Sequence, residues 1–177
     1  MANLKEIRNR ISSVSSTMQI TSAMKMVSAA KLKKAQDAIT AMRPYADKLT
    51  ELLQSLSATL EADAGSKFAD QREVNRVLIV SISSNRGLCG AFNSNIIKQT
   101  NNLIGNVYAD KEVSVLAIGK KINDAFSKRG IVIANKSEIF DDLTFDNVAE
   151  IAEMLMDKFV TGQFDKIEIV YNKFKNA

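Results

Sequence analysis

A seven-residue repeat of apolar side chains runs through residues 3–60 without a change of register. The repeat occupies positions that are multiples of seven, or four more than a multiple of seven, and fourteen of these seventeen residues are apolar. We call this row of positions the seam. A repeat of this length is typical of a helix in a left-handed coiled coil. Because such a helix would be about 85 Å long, no small domain can cover it, and the seam predicts a partner helix.

The seam is interrupted in one place, at Thr21, Lys25 and Ser28. In the same window apolar residues surround the helix, and we call this set the girdle: Ile20, Ala23, Met24, Met26, Val27, Ala29 and Ala30. A helix that is apolar on every side is usually buried on every side, and methionine suits a surface with changing neighbours. Nearby charges are all basic, at Lys25, Lys31, Lys33 and Lys34. The pattern predicts a partner-binding surface, and the alternative is a solvated basic face.

The positive charge of the chain belongs to this helix. Residues 1–50 contain nine basic and three acidic groups, whereas the remaining residues contain fifteen basic and seventeen acidic groups. A helix of this charge favours an acidic partner, such as protein carboxylates, phosphates or a lipid surface.

Several function classes are excluded by composition. The chain has no histidine, which rules out a histidine-based triad, a histidine general base and an ordinary zinc site. Its one cysteine, Cys89, cannot form an internal disulfide, as expected for a reducing compartment. The sequence has neither a run of about 20 apolar residues nor a signal-peptide pattern. We therefore expect a protein that is cytosolic or peripheral to a membrane on its cytosolic side.

After residue 60 the pattern changes. Residues 61–75 are polar and predict a linker. Predicted strands at 76–83, 113–118, 131–134 and 166–172 then alternate with predicted helices at 91–104, 120–129 and 144–160. Thr144 is the expected cap of the last helix, and Gly130 and Gly162 are expected to end the last two helices. Alternation of strand and helix predicts a Rossmann-like, doubly wound α/β domain over 76–177.

The turn at residues 84–90 follows the first strand, where α/β domains bind phosphates. Arg86 and free helix N–H groups would suit an anion, but the glycines are spaced G-x-x-G, which is neither a dinucleotide nor a Walker pattern. The structural alternative is a tight turn allowed by Gly87 and Gly90, with Cys89 packed as a small apolar residue.

An acidic cluster, Asp141, Asp142 and Asp146, lacks the spacing of a calcium loop. It is better interpreted as negative charge near the first turn of the following helix, where the helix dipole favours it. We predict no metal ligand and no cofactor-binding residue in this chain.

Three motifs carry a resemblance to a known family. They are ITSAMKMVSAAKL at residues 20–32, NRGLCGAFN at 85–93 and VYNKF at 170–174. Together they resemble, in order, the gamma subunit of F-type ATP synthases. The chain departs from that family at Gln19, where lysine is usual, and at Asn85, where aspartate is frequent. Family members continue into a second long helix that pairs with the first, and this C-terminal partner helix is missing from the sequence.

The resemblance implies a non-catalytic central-stalk subunit that rotates inside a ring of alpha and beta subunits. It further implies contact with the epsilon subunit and the membrane rotor ring of c subunits, coupling of proton flow to ATP synthesis, and help in regulating ATPase activity. The location would be peripheral, on the cytoplasmic face of the bacterial plasma membrane. Partner contacts are then expected at Ile20, Met24, Lys25, Met26, Val27, Lys31, Lys33, Lys34, Arg86 and Cys89.

Two other interpretations stay open at this point. One is a nucleotide-binding module of Rossmann type. The other is a basic coiled coil that binds nucleic acid, against which Tyr45 is the only aromatic residue of the helix, too few for a base-stacking surface.

Overall fold

The structure, a computed structural model, describes residues 3–59, 67–68 and 72–175, with the side chains of 57–59 excepted. The chain divides into two compact units, Met1–Ala64 and Gly65–Ala177. Most of the predicted linker, and the last seam residue Leu60, lie outside the described residues.

The first unit contains one long helix, α1, which spans Leu4–Thr59 and confirms the prediction from the heptad repeat. Asn3 caps it, because its side-chain oxygen accepts the backbone N–H of Lys5 at 3.2 Å. Helix α1 continues through Pro44. Its described side chains are exposed, apart from the half-buried Gln36 and Arg43. The described part of the apolar seam, up to Leu56, is therefore open to solvent.

The second unit is built on four parallel strands: β1 (Arg76–Ile82), β2 (Glu112–Ile118), β3 (Val132–Asn135) and β4 (Lys166–Val170). Their order across the sheet is β3-β2-β1-β4. Helices α2 (Phe92–Asn102), α3 (Lys120–Phe126) and α4 (Phe145–Val160) connect successive strands. The chain moves outward from β1 to β3 and then returns across the sheet to β4, so helices cover both faces. This confirms the predicted doubly wound α/β fold.

The two faces of β1 fill two separate apolar cores. Val77 and Ile79 pack with residues of α2 and α3, whereas Leu78 and Val80 pack against the face that α4 covers. All four side chains are at most 2% exposed. A strand buried on both faces explains why its sequence is almost continuously apolar rather than alternating.

One buried polar pair interrupts the α2 side of the sheet. The hydroxyl groups of Ser81 and Thr100 are 2.8 Å apart and both residues are fully buried. Each hydroxyl satisfies the other, which removes the cost of burying it alone. The pair fixes the distance between β1 and α2.

The sequence-based boundaries differ from the structure at a few element ends. Helix α2 ends at Asn102 and is followed by a π-helical turn, Leu103–Val107. Strand β4 ends at Val170 rather than at residue 172. The cap at Thr144 and the left-handed Gly130 after the third helix are as predicted. None of the described helices combines the length and apolarity needed to cross a lipid bilayer.

Candidate functional site

Eight of the ten predicted contact residues lie on α1. The girdle residues Ile20, Met24, Met26 and Val27 have 57–67% of their surface exposed. Lys25, Lys31, Lys33 and Lys34 are exposed as well, and none forms an ion pair with a described residue. The structure thus places an apolar girdle and four cations on one continuous stretch of helix.

The loop after β1, residues 83–91, holds the other two predicted residues, Arg86 and Cys89. Asn93, in the first turn of α2, organises this loop. Its side-chain N–H group donates to the carbonyl oxygen of Arg86 at 3.1 Å and to the sulfur of Cys89 at 3.0 Å. Its oxygen accepts the backbone N–H of Ser84 at 2.9 Å. Sequence reasoning did not identify Asn93, although it stands inside the motif at 85–93.

The same loop caps the neighbouring helix α3. The backbone N–H groups of Lys120, Lys121 and Ile122 donate in turn to Asn85 Oδ1 (2.9 Å), Ser84 O (3.3 Å) and Ser83 Oγ (3.0 Å). Free N–H groups at a helix start are what an anion requires. Because the loop occupies these groups, they are not available to an anion at the start of α3.

The predicted packing of Cys89 is wrong. Cys89 is exposed, and so is its neighbour Leu88, whose side chain is entirely accessible to solvent. Leu88 also has a φ of +59°, the left-handed region that leucine rarely adopts. Gly90 has a positive φ, and the other left-handed residue of the turn is Leu88 rather than Gly87. The loop therefore presents Arg86, Leu88 and Cys89 outward.

The loop requires a close approach between two backbones at Gly119. This glycine follows β2 with a φ of +111°, and a Cβ there would overlap the carbonyl oxygen of Ser83 and lie 2.6 Å from its Oγ. The position consequently tolerates only glycine. Gly119 lets Ser83 reach the start of α3, which holds the loop in place.

In parallel α/β sheets, ligands usually bind beyond the carboxyl ends of neighbouring strands, here β1 and β4. Here the side chain of Asn172, just after β4, donates to the carbonyl oxygen of Phe92 at 2.9 Å. That bond joins the two segments that follow β1 and β4. No cluster of three potential metal ligands occurs among the described residues.

Two residues of the acidic cluster contribute to the start of α4. Asp146 lies in the first turn of α4. The side-chain N–H group of Asn147 donates to the carbonyl oxygen of Asp142 at 2.8 Å and to its carboxylate at 3.3 Å. The first-turn position suits the helix dipole, as expected from the sequence.

One titratable cluster lies beside the edge strand β4. The Tyr108 hydroxyl donates to Glu168 Oε2 at 2.6 Å, and Lys166 Nζ lies 5.3 Å from the centre of the tyrosine ring. The pKa of Tyr108 is raised, mainly by burial and secondly by the hydrogen bond to Glu168. The pKa of Lys166 is raised mainly by its contact with Tyr108. Both groups therefore keep their protons near neutral pH, which suits a structural contact rather than proton transfer.

Comparison with known proteins assigns a family to this arrangement. The family model described as ATP synthase matches residues 3–177, which is almost the entire chain. The chain belongs to this ATP synthase family, as its motifs indicated.

The similar relatives are gamma chains. The chain is 72% identical to the ATP synthase gamma chain of Flavobacterium psychrophilum, 69% identical to that of Flavobacterium johnsoniae and 62% identical to that of Christiangramia forsetii. Each match includes all 177 residues of this chain but 62% of the relative's length.

Proposed function

We propose that this chain works as part of the gamma subunit of a proton-translocating F-type ATP synthase. In this role α1 belongs to the central shaft, which turns inside the ring of alpha and beta subunits and transmits torque between proton flow and ATP synthesis. The chain contributes no catalytic group of its own; it is a subunit of the enzyme and helps to regulate its ATPase activity. The family assignment and the names of the relatives support this proposal.

The observation that carries the proposal is the exposed girdle. Over residues 20–30 apolar side chains cover every side of the helix except the polar interruption of the seam, yet Met24, Met26 and Val27 are each more than half exposed in this chain. Exposed apolar surface of this extent marks an interaction site. A shaft enclosed by a ring would bury all sides of the helix at one level, whereas an ordinary two-helix contact would bury one side.

Electrostatics suit a moving contact. Lys25, Lys31, Lys33 and Lys34 would meet acidic surfaces of successive ring subunits as the shaft turns. Attraction between charges acts over about 10 Å at ordinary salt concentrations, whereas close packing acts only at contact. Charged contacts therefore allow sliding with a smaller barrier than interlocked side chains do.

The remaining partners follow from the same role. The α/β unit would contact the epsilon subunit and the membrane rotor ring, and we assign Arg86 and Cys89, together with Leu88, to subunit contacts of this unit. We propose attachment through these other subunits, peripherally on the cytoplasmic face of the bacterial plasma membrane. No cofactor or nucleic acid has a part in this role.

A chimera tests the proposal. The segment of the Flavobacterium psychrophilum gamma chain that matches this sequence is replaced by this chain, and the complex is assembled with the other subunits. We expect coupled ATP synthesis in vesicles. Met24→Asp with Val27→Asp should reduce it at least about tenfold, because burying unpaired carboxylates costs several kcal/mol.

The matched control adds the same two charges elsewhere on α1, with Thr40→Asp and Gln54→Asp. Both residues are exposed and lie outside seam and girdle. This control should keep ring assembly and ATP synthesis. If the girdle variant retains full synthesis, or if the control loses as much, the girdle is not the enclosed part of a shaft.

A further inference from the structure

Helix α4 has apolar side chains on two of its sides. On one side, Met154 and Leu155 pack against the core beneath the helix. On another, a row of apolar residues at intervals of three or four positions faces solvent, and we call it the α4 stripe: Phe145, Val148, Ala152 and Met156. The exposed fractions of its larger members are 85% for Phe145, 44% for Val148 and 43% for Met156. A helix at the surface of a domain ordinarily has polar residues on its outer side, so the α4 stripe indicates an interaction surface.

A row of carboxylates runs beside the α4 stripe. Its members also recur at intervals of three or four positions, and we call them the acidic ridge: Asp146, Glu150, Glu153 and Asp157. All four are exposed, and none forms an ion pair with a described residue. Residues 137–157 contain seven acidic groups and no basic group, whereas the chain as a whole has a net charge of +4. The surface around the stripe is therefore strongly negative and favours a basic partner.

A cleft borders the acidic ridge. It has a volume of about 250 Å³, and its charged lining residues are Glu138, Asp142, Glu150 and Lys136. Three carboxylates against one ammonium group leave the cleft negative, so it suits the end of a lysine or arginine side chain. Because Glu150 belongs to both the ridge and the cleft, a partner lying along the ridge is close to the cleft.

We propose that α4 docks a basic amphipathic helix of another protein chain, with the apolar side of that helix on the α4 stripe and its Lys or Arg residues against the acidic ridge. Helix α4 has 16 residues and is about 24 Å long, which matches roughly four turns of a partner helix. Burial of the apolar side chains provides affinity, and the carboxylates determine which helices are accepted. The inference rests on the proposed function only in that the α/β unit contacts other subunits.

The test uses the 177-residue chain and three synthetic helical peptides of about 25 residues, long enough to form a helix. The basic peptide has a row of leucines with lysines beside it. The acidic peptide has glutamates in place of those lysines. The polar peptide keeps the lysines but has glutamines, which are also good helix formers, in place of the leucines. Binding is measured by fluorescence anisotropy, and the comparison separates the contribution of charge from that of apolar contact.

The basic peptide should bind at least about tenfold more tightly than either of the others at low salt. Glu150→Lys with Glu153→Lys reverses two charges of the acidic ridge and should shift the preference to the acidic peptide. The matched control, Glu73→Lys with Asp124→Lys, changes the net charge equally at exposed positions outside α4. It should keep the preference for the basic peptide.

A second pair of variants tests the apolar contact. Phe145→Gln should weaken binding of the basic peptide at least about fivefold, because it removes the most exposed large side chain of the α4 stripe from the contact. Tyr171→Gln is the matched control. It removes another exposed aromatic side chain, in the segment after β4, and should leave the affinity unchanged. A peptide that bound to the seam of α1 instead would respond to none of these changes.

Several results would overturn the proposal: no binding of any peptide, equal affinity for the three, or binding that the α4 variants leave unchanged. Self-association of the chain that Glu150→Lys with Glu153→Lys abolishes would also overturn it, because the occupant would then be a second copy. The ATP synthesis of the chimera is a separate measurement. A chimera that synthesises ATP while no peptide binds contradicts this inference alone. A chimera that fails while the basic peptide binds at α4 contradicts the proposed function alone.

Discussion

The carboxylate of Asp165 accepts a hydrogen bond from the backbone N–H of Arg76 at 2.8 Å and another from the Arg76 guanidinium at 2.9 Å. Arg76 begins β1, and Asp165 directly precedes β4, so the pair aligns the starts of two neighbouring strands. The Asp165 side chain is 8% exposed. The pKa of Asp165 lies below its usual range because its carboxylate accepts three hydrogen bonds. In decreasing order of effect, the donors are the backbone N–H of Arg76, the Arg76 guanidinium and the backbone N–H of Asn75.

A pH-dependent loss of stability follows from this pair. Because the folded-state pKa is lowered, ionised Asp165 stabilises the fold above the ordinary aspartate pKa of about 3.9, and this contribution is lost as the pH falls through the lower folded-state value. Asp165→Asn should therefore lower the urea midpoint of the α/β unit at pH 7, and the difference from wild type should shrink toward pH 3. Tyrosine fluorescence measures the transition, since Tyr108 is buried.

Asp124→Asn serves as the control, because Asp124 is exposed on α3 and makes no ion pair with a described residue. It should leave the midpoint unchanged at both pH values. The urea midpoints of Asp165→Asn and wild type should differ less at pH 3 than at pH 7. An equal difference at the two pH values would contradict a stabilising role of the ionised carboxylate.

Substitution of Gly119 should be far more damaging than substitution of Gly105. An alanine at 119 would overlap the Ser83 backbone at a φ of +111°, whereas a Cβ at 105 meets nothing within 4 Å. We expect Gly119→Ala to destabilise the α/β unit by about 2–4 kcal/mol and Gly105→Ala to change it by less than about 1 kcal/mol. Urea unfolding of both variants checks this, and equal midpoints would show that the two backbones separate easily.

We expect Leu88 to lower the stability of the isolated chain and to strengthen its association with another subunit. Its left-handed conformation costs about 1–2 kcal/mol for a leucine, and its exposed side chain returns no packing energy. Leu88→Gly should stabilise the isolated α/β unit, by up to about 1 kcal/mol. In the chimeric complex the same change should weaken subunit association. A fall in the stability of the isolated chain would instead show that the side chain packs within its own unit.

Regular patterns in the sequence predicted the regular parts of the molecule. The heptad repeat gave α1, and continuous apolar runs flanked by polar turns gave the four parallel strands, because these signals depend on neighbours a few positions away. Thr144 and Gly130 were predictable for the same reason, since a cap and a left-handed turn are local geometries.

The loop at 83–91 was predicted less well, because its conformation depends on distant residues. The direction of Leu88 and Cys89 is set by Asn93 and by the N-terminus of α3, about 30 residues further on. A small residue such as cysteine is usually buried, and that general preference was overridden here. The proposed contact residues on α1, and Arg86 and Cys89, remain predictions, since a contact with another subunit cannot be derived from one chain.

The proposed rotation of α1 within the catalytic ring is tested most directly by observing single molecules. In the chimera described above, Cys89→Ser removes the chain's native thiol and Lys128→Cys supplies an exposed attachment point on the α/β unit. With the alpha–beta ring fixed to a surface and its reactive cysteines removed, a bead on residue 128 should turn stepwise in one direction when ATP is added. A bead that stays fixed while the same complexes hydrolyse ATP would contradict the account.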